Sequence, residues 1–382
     1  MDNRQSIWDH LGVCLVVLLL GYILVFASLN LSIFNPLKHA LNDFKMTDVY
    51  FEMLRSDDGQ ELNDDIVLVD MTRQTARDEI AQTITDINSC QPKVLMVDLL
   101  FQRPSFDQID DVSLVSAIET GHGNEVFSCK LVDYRPEKQM FAGVVKSFFS
   151  EVGDFTWGYS NVVQVHPGGR IREYSLSQWV NDTLVYSMPY LAACRYTGEE
   201  PKAEDVTQRL IVYNDTDFPI VQCDEVTEHA SLLKDKIVIL GAMDEEADKH
   251  STPLGKMSGM KVQAYSTLSY LQHHTIRSMS RATSLVLAFL ICLFCAWAGW
   301  RIRKRFSSTA SYALKLFYFL LAALLVWGAF ICFVHFDYDV DLLYPLLGAA
   351  LVEEARTQYT WLVNVLAKRK AFKFLKNSIY CK

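Results

Sequence analysis

Four apolar runs punctuate the chain, and between the first two lies a long block in which short apolar runs and helical stripes alternate with polar segments. Leu11 to about Leu31 (LGVCLVVLLLGYILVFASLNL) is nearly free of charge, and about 20 apolar residues are enough to cross the hydrocarbon core of a bilayer. Thr283–Trp300 (TSLVLAFLICLFCAWAGW) and Leu314–His335 (LKLFYFLLAALLVWGAFICFVH) are the second and third such runs. Tyr338–Val352 is shorter and opens on acidic residues; it is taken as a fourth span because the charges of the loops require one. A cleaved leader ending near Ala27 competes for the first run, but only Arg4 precedes it as a basic residue and the run is longer than a usual leader core. A lipid anchor at Cys14 is disfavoured by Val13 before it. The expected layout is a terminus at 1–10, spans at 11–32, 283–300, 314–335 and 338–355, a block at 35–280 and a tail at 356–382.

The block is expected to be α/β. Ile66–Asp70 (IVLVD) and Val94–Phe101 (VLMVDLLF) are continuous apolar runs of the kind that strands buried on both faces show, and Arg73–Asn88 between them carries Ala76, Ile80, Ile84 and Ile87 at helical spacing. Together they predict a βαβ unit and a mainly parallel (mixed) sheet. Asp111–Thr120 is the next expected helix and Glu125–Leu131 the next strand. Asn161–Val165 and Ile171–Leu176 flank His166-Pro167-Gly168-Gly169, a hairpin signal. Leu184–Arg195 is expected to be helical, Arg209–Tyr213 and Phe218–Val221 to be short strands around an Asn214-Asp215 turn, and Lys236–Gly241 (KIVILG) to be a buried strand. Met257–Leu271, with Met260, Ala264, Thr267, Leu268 and Leu271 on one face, is expected to be a helix.

Charge separates the block from its flanks. Residues 35–280 hold 38 acidic and 22 basic residues, a net of −16, whereas the rest hold 7 and 14, a net of +7. The Arg301–Arg305 segment (RIRKR) and the Lys- and Arg-rich tail are basic, and the segment around Asp337, Asp339 and Asp341 has no Lys or Arg. Basic loops stay on the cytoplasmic side, so both termini are expected inside and residues 35–280 outside, with a four-helix transmembrane bundle. Trp8, Trp297, Trp300, Tyr318 and Trp361 fall near the expected interfaces. A composition of 50% hydrophobic and 21% charged residues excludes a disordered chain, a collagen-like fibre and a small disulfide scaffold, and a net charge of −9 argues against nucleic acid as a partner.

The runs VLVDMT, VLMVDLLFQRPS, WGYSNVVQVHPGGRIREYSL and KDKIVILGAMDEEADKHSTPLGKMSGMKVQAYSTLSYL resemble, in kind and order, the CHASE2 family of bacterial extracytoplasmic sensory domains. The resemblance covers roughly residues 10–355 and is most specific at Asp98 with Phe101 and Pro104, at Gly158, Asn161, Gly169 and Arg172, and at Gly241-Ala242, Asp248, Thr252-Pro253 and Gly259. It implies one span before the domain and three after it. Family members usually continue into a cytoplasmic cyclase or kinase, and no such module follows the last span here, so a separate effector is implied.

No phosphate-binding glycine loop, dinucleotide fingerprint, HExxH or GxSxG motif occurs, and the chain is expected not to be an enzyme and to need no cofactor. Asp70 and Asp98 close apolar strands, where side chains either reach a ligand crevice or cap the following loop. Asp244, Glu245, Glu246, Asp248 and His250 form an acidic loop whose spacing is not that of an EF-hand; no metal site is expected, although the density of carboxylates is the kind that holds Ca²⁺. Arg103 is a candidate for an anion or for an ion pair with Asp107. Asp70, Asp98, Arg103, Asp248 and His250 are therefore the candidate ligand residues. Cys90, Cys129, Cys194 and Cys223 lie in the block; at most one disulfide is expected among them, with its connectivity open. Cys292, Cys295 and Cys332 are expected to be apolar filler within the spans.

Leu351, Ala355, Tyr359, Leu362 and Leu366 form a helical stripe running out of the fourth span, followed by a basic cluster beginning at Lys368, Arg369 and Lys370. Charge against anionic lipid accounts for the cluster; a docking helix made of Tyr359, Leu362, Leu366, Lys368, Arg369 and Lys370 is the sharper alternative. The expected partners are the lipid bilayer, a separate effector protein and, as an open option, a second copy of the chain. A non-enzymatic sensor or transducer is the leading expectation, and a structural subunit of a cell-envelope complex is the alternative.

Overall fold

The computed structural model describes residues 3–30, 45–54, 61–72, 76–121, 123–161, 169–202, 208–244, 248–273, 276–368 and 378–381. In chain order, α1 (Asn3–Asn30) and α2 (Met46–Leu54) precede β1 (Ile66–Asp70), α3 (Arg77–Ser89), β2 (Val94–Val97), α4 (Gln108–Glu119), β3 (Glu125–Arg135), β4 (Met140–Val145) and β5 (Thr156–Tyr159). Then come β6 (Ser177–Val180), β7 (Thr183–Tyr186), α5 (Met188–Thr197), β8 (Ile220–Gln222), β9 (Ile237–Gly241), β10 (Lys249–Thr252), β11 (Gly255–Ser258), α6 (Gly259–Leu271), α7 (Arg281–Arg305), α8 (Ala310–Phe336) and α9 (Leu343–Leu366). The chain divides into two compact units, Asp48–Ile276 and a helical one made of Met1–Thr47 with Arg277–Lys382.

The first unit is built on a nine-stranded sheet in the order β8-β1-β9-β2-β3-β4-β6-β7, with β5 also pairing with β3. Five neighbouring strands, β8, β1, β9, β2 and the start of β3, run parallel; β4 turns back along the end of β3, and β7 turns back along β6. The apolar runs are continuous because both faces are covered. Val67, Val69, Leu95, Val97, Val238 and Leu240 point into one core, where Ile80, Ile84 and Ile87 of α3 and Leu114 and Ile118 of α4 meet them. Side chains one position away turn to the other face, where α5 and α6 pack; Thr267 of α6 there reaches the sulfur of Met96.

α2 is fastened to this unit by charge and by aromatic packing. Asp48 receives two hydrogen bonds from Arg172, Nε and Nη2 both at 2.7 Å, and a third from Arg170 at 2.6 Å. Phe51 stacks edge-on against Tyr213, whose hydroxyl donates to the Ile171 carbonyl.

Several elements differ from the sequence-based expectation. β9 lies between β1 and β2, so the two strands of the expected βαβ unit are not neighbours. The expected strand at Glu125–Leu131 extends to Arg135 and returns as β4 through a turn at 136–139 that holds Gln139 at positive φ, while Asp133 has positive φ within β3 itself. Leu184–Arg195 is split: Thr183–Tyr186 is a strand and the helix begins after Ser187, with a proline in its first turn. Met257–Leu271 starts as the second strand of a hairpin and becomes helical at Gly259, capped by Ser258, which accepts from Lys261 N. Of the segments expected around Asn214-Asp215, Gln208–Leu210 pairs with Glu173–Ser175, and the hairpin expected around His166–Gly169 falls on residues 162–168, outside the described residues.

The helical unit packs α9 along both α7 and α1, with α8 beside α7. Its core is made of small residues: Cys292, Cys295 and Ala296 of α7 face Gly348, Ala349, Val352 and Ala355 of α9, and Val13, Cys14 and Val17 of α1 close the seam. Small side chains let helix backbones approach closely, as membrane helices do. At one end, Arg277–Ser278 pairs with Tyr338–Asp339 and Ser284 donates to the Asp341 carbonyl. At the other, Arg303 and Arg356 both bind Glu353, which Tyr318 also contacts. Asp9 of α1 accepts there from Tyr359, Ser378 and the Ile379 amide.

Among the described residues, three helices are long and apolar enough to cross a membrane, with candidate spans at Ile7–Leu24, Arg281–Arg305 and Ala310–Phe336. The expected fourth span is not one of these, and the helix that stands there has other bounds. Tyr338–Asp339 is strand, the helix begins at Leu343, and Glu353, Glu354 and Arg356 interrupt its apolar stretch.

Candidate functional site

The parallel strands β1, β9 and β2 end side by side. α3 and α4, which follow β1 and β2, cover one face of the sheet, whereas the chain leaving β9 runs through the β10–β11 hairpin to α6 on the other. Connections that part to opposite faces leave a crevice at the carboxyl ends of the strands, the usual place for ligands in such sheets.

Of the candidate residues, the structure brings Asp98, Asp248 and His250 together here. Asp98 follows β2, and its amide still bonds to the Leu240 carbonyl of β9, so its position is fixed by the sheet. The Asp98 carboxyl has Ser128 as a hydrogen-bond partner, and Asp248, Lys130 and His250 act on it through their charges. Asp248 Oδ1 lies 3.4 Å from His250 Nε2, and its Oδ2 accepts from the Gly259 amide at the start of α6 (3.1 Å). Ser128 Oγ lies 2.7 Å from Ser160 Oγ, and Gln263 holds the Ser160 carbonyl, so the floor of the cluster is hydrogen-bonded in turn.

Two glycines make room for this arrangement. A Cβ on Gly259 would stand 2.5 Å from Asp248 Oδ2, and one on Gly241 would stand 3.2 Å from the Met260 sulfur and 3.6 Å from Asp98 Cβ. The electrostatics follow from the packing. Burial first, and the neighbouring Asp248 second, push the Asp98 carboxyl up to about 7, against the pull of Ser128, Lys130 and His250. A like charge beside a buried carboxyl disfavours its ionised form. The cluster can therefore take up a proton or hold a positive group. Among the described residues, no set of three His, Cys, Asp or Glu side chains is arranged to hold a metal ion.

The other candidates lie elsewhere or have other work. Asp70 Oδ1 accepts from the amide and hydroxyl of Thr72 and from the Met243 amide, which ties the loops after β1 and β9 together as a cap does. Arg103 is exposed, and the arginine that organises its turn is Arg77, which binds the Arg103 carbonyl and Asp111. Asp107 caps α4 through the Ile109 amide. In the acidic loop, Asp244 pairs with Lys249 at 2.8 Å, and Glu245 and Glu246 lie outside the described residues. Cys90, Cys129, Cys194 and Cys223 are all buried free thiols.

The expected docking stripe is rotated. Val352, Ala355 and Val363 of α9 are buried and Tyr359 reaches Asp9, whereas Leu362 is 39% exposed and Lys368 is exposed; Arg369 and Lys370 lie outside the described residues. Sequence inspection passed over two features that the structure makes prominent, the fork between Asp48 and Arg172 and the hydrogen bonding of Asp9. Their partners lie 124 and as many as 370 positions away, and no local signal announces them.

A family model described as the CHASE2 domain matches residues 15–299, most of the chain. No curated protein and no solved structure matches it.

Proposed function

Because the chain belongs to the CHASE2 family of extracytoplasmic sensory domains, we propose that it is a non-enzymatic membrane sensor. Its α/β unit registers positive charge arriving at the Asp98–Asp248–His250 cluster, as a proton or as a cationic ligand. The helical unit passes the change to a separate cytoplasmic effector. The observation that carries this proposal is the pair of carboxyl groups held together at the strand ends, with one of them bonded to the first amide of α6. A change of charge there alters the hold on that helix.

The topology follows from the same proposal. α9 runs alongside α7, and Glu353 meets Arg303 at the end where α1 begins and the α7–α8 turn lies. Four helices then cross the bacterial cytoplasmic membrane, with this basic end inside, as positive charge near membrane segments favours.

Hydrogen exchange on the full chain in lipid nanodiscs tests the proposal. Lowering the pH from about 8 to about 6, across the range where Asp98 takes up its proton, is expected to change the protection of residues 353–368. Asp98→Asn is expected to remove that response while the central strands stay protected. A response that is absent in the wild type, or unaltered in the variant, would overturn the sensor and leave the α/β unit as a binding platform in an envelope complex.

A further inference from the structure

On the face of the sheet covered by α3 and α4, a groove of about 890 Å³ runs between the two helices and opens to solvent. Asp78, Glu79 and Asp86 of α3 and Asp224 line it, and no Lys or Arg does so among the described residues. On the α4 side Val112 lines the groove with Ser113, Ser116, Ala117 and Thr120; Val112 is 67% exposed, and Ile109, one turn earlier and beside the groove's lining, is 74% exposed. Phe106, just before the cap of α4, is fully exposed. Single exposed apolar residues need no explanation, but Ile109 and Val112, one helical turn apart, with Phe106 exposed just ahead of the helix, mark a contact surface beside an open groove. Acidic crowding extends to this row, since burial and then Asp107, Asp78 and Asp111 push the Asp110 carboxyl up, with Arg77 as the opposing charge.

We infer that this groove docks a cationic amphipathic helix of another protein, whose apolar stripe covers Ile109 and Val112 while its Lys and Arg side chains meet Asp78, Glu79, Asp86 and Asp224. Charge selects this occupant. A second copy docking by the same face would set acid against acid across a two-fold axis, and an anionic lipid surface would be repelled. An amphipathic helix seated in a groove is an established mode of recognition, with anchors at i, i+3 and i+7. The inference is independent of the crevice, which lies at the strand ends rather than on this helical face.

The test uses the full chain in phosphatidylcholine nanodiscs and a labelled peptide of about 14 residues, or four helical turns, made of leucine and lysine with the leucines on one face. Fluorescence anisotropy reads the binding. Neutralising the wall (Asp78→Asn, Glu79→Gln and Asp86→Asn together) is expected to weaken binding by about tenfold and to flatten its dependence on salt. Ile109→Ser with Val112→Ser is expected to weaken it by a similar factor while keeping the salt dependence. All five positions are on or near the surface, and circular dichroism with a thermal melt confirms that each variant is folded. Wild-type affinity in either variant would overturn the inference. So would equal binding of a scrambled peptide without an apolar face, equal binding by empty nanodiscs, or a dimer of the chain itself that Val112→Ser dissociates.

Discussion

Replacing Asp98 by asparagine keeps the shape and the acceptor for Ser128 but removes the titration. In the folded chain this carboxyl ionises near 7 instead of the ordinary 3.8. Below about pH 4 the folded and unfolded chains both hold the proton, and the site costs nothing. As the pH rises from about 4 to about 7, the unfolded chain releases its proton while the folded chain keeps it, so wild-type stability falls. Above about 7 both are ionised and the loss is complete. An elevation of about three pH units corresponds to a ceiling of about 4 kcal/mol, a visible share of the 5–15 kcal/mol that holds a typical domain together. Asp98→Asn is therefore expected to match the wild type below about pH 3.5 and to exceed it increasingly from there up to about pH 8. For a unit of this size, the gain is roughly 8–16 °C in melting temperature at the ceiling.

The assay is calorimetry of the full chain in nanodiscs across that range, following the transition of the α/β unit. The difference between the two curves isolates the site from every other titrating group. Parallel curves would refute the reasoning, because Asp98 would then ionise as a solvated carboxylate does. A variant less stable than wild type at pH 8 would refute it from the other side, by showing that the charged form is the one the fold stabilises. The Asp248 charge is the second cause of the rise at Asp98, so Asp248→Asn is expected to lower the ionisation range of Asp98 and to reduce the gain from Asp98→Asn when the two are combined.

Three further outcomes are expected. Gly259→Ala places a methyl group where the Asp248 carboxylate sits, so Asp248 must move off the α6 amide; the pH at which Asp98 titrates should then fall, read by the same difference melts. Asp48→Ala leaves the buried Arg172 without its fork and should destabilise the α/β unit by about 3–5 kcal/mol, measured by urea unfolding, whereas Asp48→Asn should recover part of the loss. The thiols of Cys90, Cys129, Cys194 and Cys223 are buried, and burial pushes Cys129 up to about 11. Reducing agent is expected to leave the melting temperature unchanged, and an uncharged maleimide is expected to label these four only as fast as the unit opens.

What the sequence disclosed follows from how local each signal is. IVLVD and VLMV could be recognised as central strands because cover on both faces demands apolar residues at every position. The insertion of β9 between them could not, since strand order is a matter of crossovers and leaves no mark on either segment. The β3–β4 hairpin carries no such local signal, because the positive-φ residue of its turn is Gln139 and not the glycine that usually announces a tight return. The break at Ser187 did carry a signal, a serine two positions before a proline, but the apolar stripe of Leu184–Arg195 runs through it and periodicity alone joined the two pieces. In α9, adjacent stripes share Ala355 and Tyr359, and the choice between them depends on Asp9 at the other end of the chain, which draws Tyr359 inward.

The crevice shows the same division between local chemistry and distant placement. Asp98, Asp248 and His250 could each be singled out from their own neighbourhoods, the first at a strand end and the others in an acidic loop. Their meeting depends on β9 lying beside β2, which sets the segment leading to Asp248 next to Asp98 across 150 positions of sequence. The same adjacency gives Gly241 and Gly259 a physical reason to be glycine, which their local sequence does not supply. A carboxyl group raised toward neutrality is costly to the fold, and the cost recurs each time the proton leaves. Helix α6 starts on the partner of that carboxyl, Asp248, and the next long helix in the chain after it is α7. A fold that needed only a cap for α6 could use Ser258, which already accepts from Lys261. Asp248 adds a second acceptor whose charge is set against Asp98, and in the proposed sensor that arrangement makes the hold on α6 depend on protonation.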